Sequence, residues 1–527
     1  MSFEQPIVPA DVEKIRLRAT GALLFAVIAM AFVFQRFLAE GYDAIQFAWQ
    51  LDYGEGIVWE QMRLMVAGRG YGAIDGLPAI VFHYPPLFHM VTAALAGVTG
   101  LDALAVGRSV SIGSTLLIGL FAGLIAAKVV RAEDPARPSA VCGLVAGLSV
   151  FCFAPVLFWA PLMRVDMLSI ALSFAGLFVA MSALARPKLI AVSAILFVAA
   201  VFTKQTSVVA PAAVFLTFLL LRPRLAWLLA GSCTAMGLAV LGALVLATDG
   251  GFVRHIVLYN ANRIDWSRLS SIPAEMSSHS FFIAVVVICV ATRLKARLPL
   301  YRRTGSFAAV RQRLDAAPGD GFFLLVLVYA SLAGLMTLTI AKSGSSVNYF
   351  IEWTAVLAIL LGIAARDAAN AAFGKAQAPG KQLFPMSILL PLLIGFQALV
   401  MAPPASYAEL RSAARIAAFE ELQAMIRSAD RPVISDDMVL LVRSGTAVQW
   451  EPAIFAELAS TGTWDESPFV RRIRAGQFAF FITDGTRGTR PFDSRYNPAV
   501  ANAIDAAYPV KRTVAGYTLH VPAGSTP

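Results

Sequence analysis

Residues 50–60 read Gln50-Leu51-Asp52-Tyr53-Gly54-Glu55-Gly56-Ile57-Val58-Trp59-Glu60, and the segment they open closes at His83-Tyr84-Pro85-Pro86. It follows the first long apolar run, residues 19–37, and it gathers Asp52, Glu55 and Glu60, with Asp75 beyond them. Carboxylates are costly beside hydrocarbon, so acids set against a membrane face mark a functional segment by default. Composition says that hydrocarbon is there. Of 527 residues, 58% are hydrophobic and 14% charged, and mean hydropathy is +0.69. A soluble chain of this length carries more charge. The sequence therefore reads as a membrane protein of many spans with one soluble module.

Apolar runs near 19–37, 109–127, 139–160, 166–184, 189–203, 207–221, 226–247, 280–292, 322–340, 350–365 and 384–401 make about eleven expected spans. Basic residues sit in the short connections between them. This is a topology signal and excludes nucleic acid as the reason for the net charge of +10. Lys14, Arg16 and Arg18 place the N-terminus in the cytoplasm, and the seven basic residues between 293 and 321 give the strongest support for that orientation. The first external loop then covers about 38–106. A short apolar piece at 85–100, opened by Pro85-Pro86 and broken by Gly97 and Gly100, reads as in-plane or partly inserted, with a full span as the alternative. No cleavable signal peptide is evident. Cys142, Cys152, Cys233 and Cys289 all lie in apolar runs and read as packing residues.

From about 402 the chain changes character. Pro403-Pro404 is a rigid break, and the acids and bases beyond it balance. An amphipathic helix pattern at 406–428 precedes strand-like runs at Pro432–Ser435, Phe478–Thr483 and Tyr517–Val521. Helical stretches at Pro452–Ala459 and Pro498–Ala507 lie between them. The expectation is a transmembrane unit at 1–401 and a small external α/β module at 402–527. The module shows no nucleotide-binding glycine loop and no metal-ligand spacing.

This topology puts the conspicuous polar groups on one face. They are the acids of the first loop with His83 and His89, then Arg164 and Asp166, Lys204, Arg254 with His255, Tyr259, Asn260 and Asn262, and finally Lys342, Asn348, Tyr349 and Glu352. A carboxylate there suits deprotonation of an acceptor hydroxyl. Cations there suit a leaving phosphate as charge develops on it. A lipid-tailed donor would present its phosphate at that depth. Each residue also has a plainer reading: Arg164 with Asp166 as an interfacial ion pair, Lys204 snorkelling to the headgroups, His255 capping a loop, His83 and His89 as packing.

The order of these features resembles the GT-C superfamily of membrane glycosyltransferases, the class of protein O-mannosyltransferases and aminoarabinose transferases. The matching features are the acidic Asp52-Tyr-Gly-Glu55-Gly loop, Gly-x-Gly-Tyr71, Tyr84-Pro85-Pro86-Leu87, Gly107-Arg108-Ser109, Arg164-Val-Asp166-Met167 and Thr203-Lys204-Gln205-Thr206. The resemblance covers most of residues 20–360. It implies a GT-C-like helix bundle in a bacterial inner membrane, with the C-terminal module periplasmic. It also implies a polyprenyl-phosphate sugar donor and a glycan, lipid or protein acceptor. By position it makes Asp52 or Glu55 the base, with Arg164, Asp166, Lys204, Arg254, His255 and Lys342 as donor-phosphate or substrate residues. Many relatives carry adjacent acids before the glycine. Here Gly54 separates Asp52 from Glu55, so which acid is the base stays open. Some relatives use a divalent metal such as Mg or Mn, for which Asp52, Glu55 and Asp166 would be the ligands. The alternative is a transporter, flippase or glycan ligase acting on lipid-linked saccharides.

Overall fold

A computed structural model describes residues 9–302, 306–373, 384–401 and 407–524. The chain is mainly helical. Helix α1 (Pro9–Gln46) crosses the bundle and continues past it, α2 (Tyr53–Val66) carries the acidic segment, α3 (Leu87–Thr99) is short, and α4 (Ala103–Glu133) returns through the bundle. Among the described residues, six helices are long and apolar enough to cross a membrane, and five shorter apolar helices accompany them. One of the five, α3, has 13 residues. That is about 20 Å at the helical rise, short of the roughly 30 Å hydrocarbon core. Gly100 ends it in the left-handed conformation at φ 68°, as a helix-terminating glycine does.

The expected 139–160 span is not one helix. Helix α5 (Ser139–Ser149) tightens into a 3-10 turn at Val150–Cys152, Phe153 is extended, and α6 (Ala154–Trp159) starts afresh. Pro155 sits in the first turn of α6, where its missing N–H costs nothing and its ring blocks continuation from behind. This break swings Trp159 under the start of α7 (Asp166–Ala183). Close helix crossings rest on glycine: a Cβ on Gly123 would come within 2.7 Å of the Gly143 carbonyl oxygen, and one on Gly143 within 2.8 Å of that of Gly123.

The C-terminal chain builds a four-stranded sheet from β1 (Ile434–Ser435), β2 (Phe481–Thr483), β3 (Val510–Val514) and β4 (Tyr517–Val521), in the order β1-β2-β4-β3. β1 and β2 are parallel and the other pairs antiparallel. β3 escapes a hydrophobicity reading because it is a mostly exposed edge, Val-Lys-Arg-Thr-Val. It is held by a tight hairpin whose two central residues, Ala515 and Gly516, both have positive φ, as the twist of a two-residue hairpin demands. The Pro403-Pro404 break lies outside the described residues.

The module does not stand apart from the first loop. Trp49, Val58 and Phe82 share one buried core with Phe419, Val439, Ile482 and Leu519. Ile74, Ala79 and Val81 share another with Trp450, Phe455 and Phe469. Gly56 marks the closest approach: a Cβ there would lie 2.6 Å from the Val439 backbone nitrogen. The acidic loop is thus clamped between the helix bundle and the C-terminal sheet.

Candidate active site

The two acids of the loop face different surroundings because one stands before the first turn of α2 and the other inside it. Asp52 is the N-cap. Its backbone is extended and its Oδ2 accepts from the Gly54 N–H at 2.8 Å, satisfying a donor that the helix leaves free. The same oxygen accepts from Arg164 Nη1 at 3.1 Å, and the side chain keeps 21% exposure. Gly54 is required by this pair, since a Cβ there would fall 1.1 Å from Arg164 Nη1.

Glu55 turns inward and is fully buried. Its Oε1 accepts from Arg108 Nε at 2.8 Å and Met163 N at 2.9 Å, and its Oε2 from Arg108 Nη2 at 2.7 Å and Leu51 N at 2.7 Å. Arg108 spends its remaining N–H groups on the carbonyls of Ala44, Phe47 and Trp49. Burial by itself would raise the Glu55 pKa, but the Arg108 guanidinium and the two backbone donors hold it below the ordinary value. Every lone pair of Glu55 and every N–H of Arg108 is committed, so this carboxylate fastens α1, α2 and α4 together. The geometry places Glu55 in the framework and leaves Asp52 facing the open side.

Arg164 lies over the Trp159 ring, 4.9 Å from its centroid. The Trp159 indole donates to Asp166 Oδ2 at 2.8 Å, and Lys204 Nζ and Asn348 Nδ2 both reach Asp166 Oδ1, at 2.5 and 2.9 Å. Lys204 also sits 5.2 Å from the Tyr349 ring centroid, beside a cavity of about 30 Å³. Lys342 donates to Asn260 Oδ1 at 2.8 Å, and burial, then the neighbouring Lys204 charge, lower its pKa. Among the described residues Lys342 has no carboxylate within ion-pair distance. Arg164, Asp166, Lys204 and Lys342, expected together, are brought together, from connections far apart in the chain.

His255 does something other than expected. The π-turn at Arg254–Leu258 aims its ring at the first loop, where Nδ1 accepts from Phe82 N at 3.0 Å and Nε2 donates to Gly72 O at 2.7 Å. Burial pushes its pKa down to about 4, so the ring is neutral. With both nitrogens bonded to backbone, the ring holds the loop. Arg254 is exposed and forms no ion pair among the described residues.

His83 is read from the sequence as a loop or packing residue, and two acids of the C-terminal module escape a sequence reading. His83, half-buried, takes a hydrogen bond between Gln61 Nε2 and its Nδ1 at 3.2 Å, while its carbonyl accepts from Gln205 and Asn260. Burial, then the charges of Arg164 and Lys342, push its pKa down to about 3. Facing it at 3.7 Å is Glu451, from the C-terminal module. Tyr53 Oη donates to Glu451 Oε1 at 3.1 Å, whereas Glu451 Oε2 is buried without a hydrogen-bond partner. Burial raises Glu451 to about 7. A second module acid, Glu457, accepts from Arg263 N at 2.7 Å and Ser343 Oγ at 3.1 Å, tying two turns beside Lys342. No local pattern in the soluble module singles these acids out; a His next to Tyr-Pro-Pro in the loop was the one visible signal.

The donor set does not suit a divalent metal. Glu55 is spent on Arg108, Asp166 is surrounded by three donors, and among the described residues no group of three His, Cys, Asp or Glu side chains is placed to hold an ion.

The chain superposes along nearly its whole length on the crystal structure of ArnT from Cupriavidus metallidurans bound to undecaprenyl phosphate. The TM-score is 0.51 and identity 13%, over 96% of this chain and 98% of that one. The apo state of the same protein aligns at 14% identity with a TM-score of 0.48, over 95% and 98%. No protein-family model and no curated protein sequence matches the chain. At such identity the likeness to the lipid-bound structure shows a common fold, the one that the acidic loop and its companions lead a reader of the sequence to expect.

Proposed function

We propose that this chain is a membrane glycosyltransferase that moves a sugar from a polyprenyl-phosphate donor to a cell-envelope glycan, lipid or protein acceptor on the external face. One observation carries the reading. An accessible carboxylate, Asp52, stands with Arg164, Lys204 and Lys342 at one end of an apolar bundle, in a fold shared with a protein solved with undecaprenyl phosphate bound.

Asp52 takes the proton from the acceptor hydroxyl as its oxygen attacks the anomeric carbon. The bond from that carbon to the phosphate oxygen breaks, and its electron pair stays on the phosphate. Lys204 and Lys342 stabilise that developing charge. In-line attack opposite the leaving phosphate inverts the anomeric centre. Arg164 fixes one oxygen of Asp52 and leaves the other for the acceptor. Asp166 keeps Lys204 charged and oriented, with Trp159 and Asn348 fixing Asp166 in turn. Glu55 takes no part in proton transfer, and no step runs through a metal. Glu451, with one unpartnered buried oxygen beside His83, lines the acceptor side and brings the C-terminal module into the site.

The test is turnover by purified protein given polyprenyl-phosphate sugars and candidate acceptors, read as released polyprenyl phosphate. Asp52→Asn abolishes release and Lys342→Met raises the donor KM. Full turnover by Asp52→Asn would remove the proposed base.

A further inference from the structure

A second cavity, larger than the one beside Lys204, lies away from this site. It encloses about 440 Å³ at the opposite end of the bundle. Helix α7 connects the two: Asp166 begins it and Ala183 ends it beside the cavity, about 27 Å away at the helical rise. The walls are the last turns of α4, α7 and the Val209–Leu221 helix, closed by the turn between the 307–316 and 318–336 helices.

Its charge is one-sided. Lys128, Arg186 and Arg222 line it, with Asp315 as the sole carboxylate of the lining. Asp315 is already paired with Arg222. Lys128 is half-buried, yet among the described residues its ammonium meets the Ser182 hydroxyl at 2.8 Å and the faces of Phe178 and Phe322. Neither Lys128 nor Arg186 has an ion-pair partner among the described residues. Below the cations the wall is apolar: Met181, Leu184, Leu221 and Phe322. Two uncompensated cations above an apolar wall at a membrane surface match a lipid with an anionic headgroup, phosphate against Lys128 and Arg186 and chains against the apolar residues.

We infer that this cavity is a binding site for an anionic glycerophospholipid, with Lys128 and Arg186 holding its phosphate. The site is separate from the proposed transfer chemistry and does not depend on it.

The experiment is native mass spectrometry of the full-length protein exchanged into detergent with equal phosphatidylglycerol and phosphatidylcholine. At roughly fivefold per cation, two cations give about a 25-fold preference for phosphatidylglycerol. The Lys128→Gln, Arg186→Gln double variant brings it near parity, whereas Lys128→Arg retains it. A salt titration of the wild-type protein, which needs no variant to fold, lowers the preference for the anionic lipid toward parity. Equal retention of both lipids by the wild type, or an undiminished preference in a folded double variant, overturns the inference. So does displacement by millimolar inorganic phosphate alone, which would assign the cavity to a free anion.

Discussion

Glu55→Gln separates the framework acid from the reactive one. The substitution is nearly isosteric, so its cost comes from charge and donor placement. Glu55 accepts four hydrogen bonds, two from Arg108 and one each from Met163 N and Leu51 N. A glutamine has one carbonyl oxygen. Its amide NH2 must face either Arg108 Nε with Met163 N or Arg108 Nη2 with Leu51 N, donor against donor. Arg108 is then left charged and fully buried, with one neutral amide oxygen in place of the carboxylate beside the carbonyls of Ala44, Phe47 and Trp49. Breaking one side of a buried pair costs about 3–5 kcal/mol, and the one orphaned backbone donor sits within that range. Thermal unfolding in detergent, followed by a tryptophan or thiol probe, measures it. The account expects a fall in melting temperature for Glu55→Gln well beyond any change in Asp52→Asn, which is partly exposed and loses only one cap and one ion pair. A Glu55→Gln protein as stable as wild type but inactive would refute the reasoning and return Glu55 to the chemistry.

Gly54→Ala should fold yet lose most turnover, because its Cβ displaces Arg164 from Asp52; restored turnover on adding Arg164→Ala would contradict this. A pH series tests the module acids. Asp437 and Glu451 are raised by burial to about 7 in the folded chain, so the folded state holds their protons more tightly than the unfolded one. Stability is therefore greatest below the unfolded carboxylate value of about 4.5 and declines until pH reaches about 7. Glu451→Gln should reduce that decline and remove a limb near pH 7 from the rate profile; identical profiles would exclude Glu451 from the site. Glu457→Gln should loosen the Arg263 and Ser343 turns, raising KM for the donor more than it lowers kcat, as steady-state kinetics would show.

The helical architecture is legible because hydrocarbon imposes a simple rule on composition. The convergence of Arg164, Asp166, Lys204 and Lys342 is legible for the same reason: ionised groups next to long apolar runs have few tolerable places. Choosing between Asp52 and Glu55 is not, because the choice rests on Arg108. That residue is visible as a cation opening an apolar run, a position that by itself asks for a buried partner, but nothing local says whose. His255 misleads in the opposite way. A His beside an Arg in an external loop suggests anion binding, and only the π-turn that aims it at Gly72 and Phe82 reveals a backbone staple. The Phe153 break is foreshadowed by Pro155. Glu451 is illegible because its role comes from the docking of the module on α2, set by contacts nearly 400 residues apart in sequence.

The central claim is that Asp52 is the base of a sugar transfer from a polyprenyl-phosphate donor. The most direct measurement is the rate of polyprenyl-phosphate release by folded wild-type and Asp52→Asn proteins at saturating donor and acceptor. The account predicts at least a hundredfold loss, the low end of what a general base contributes, with unchanged donor binding. Release within a few-fold of wild type, from a protein whose melting curve is unaltered, would contradict it.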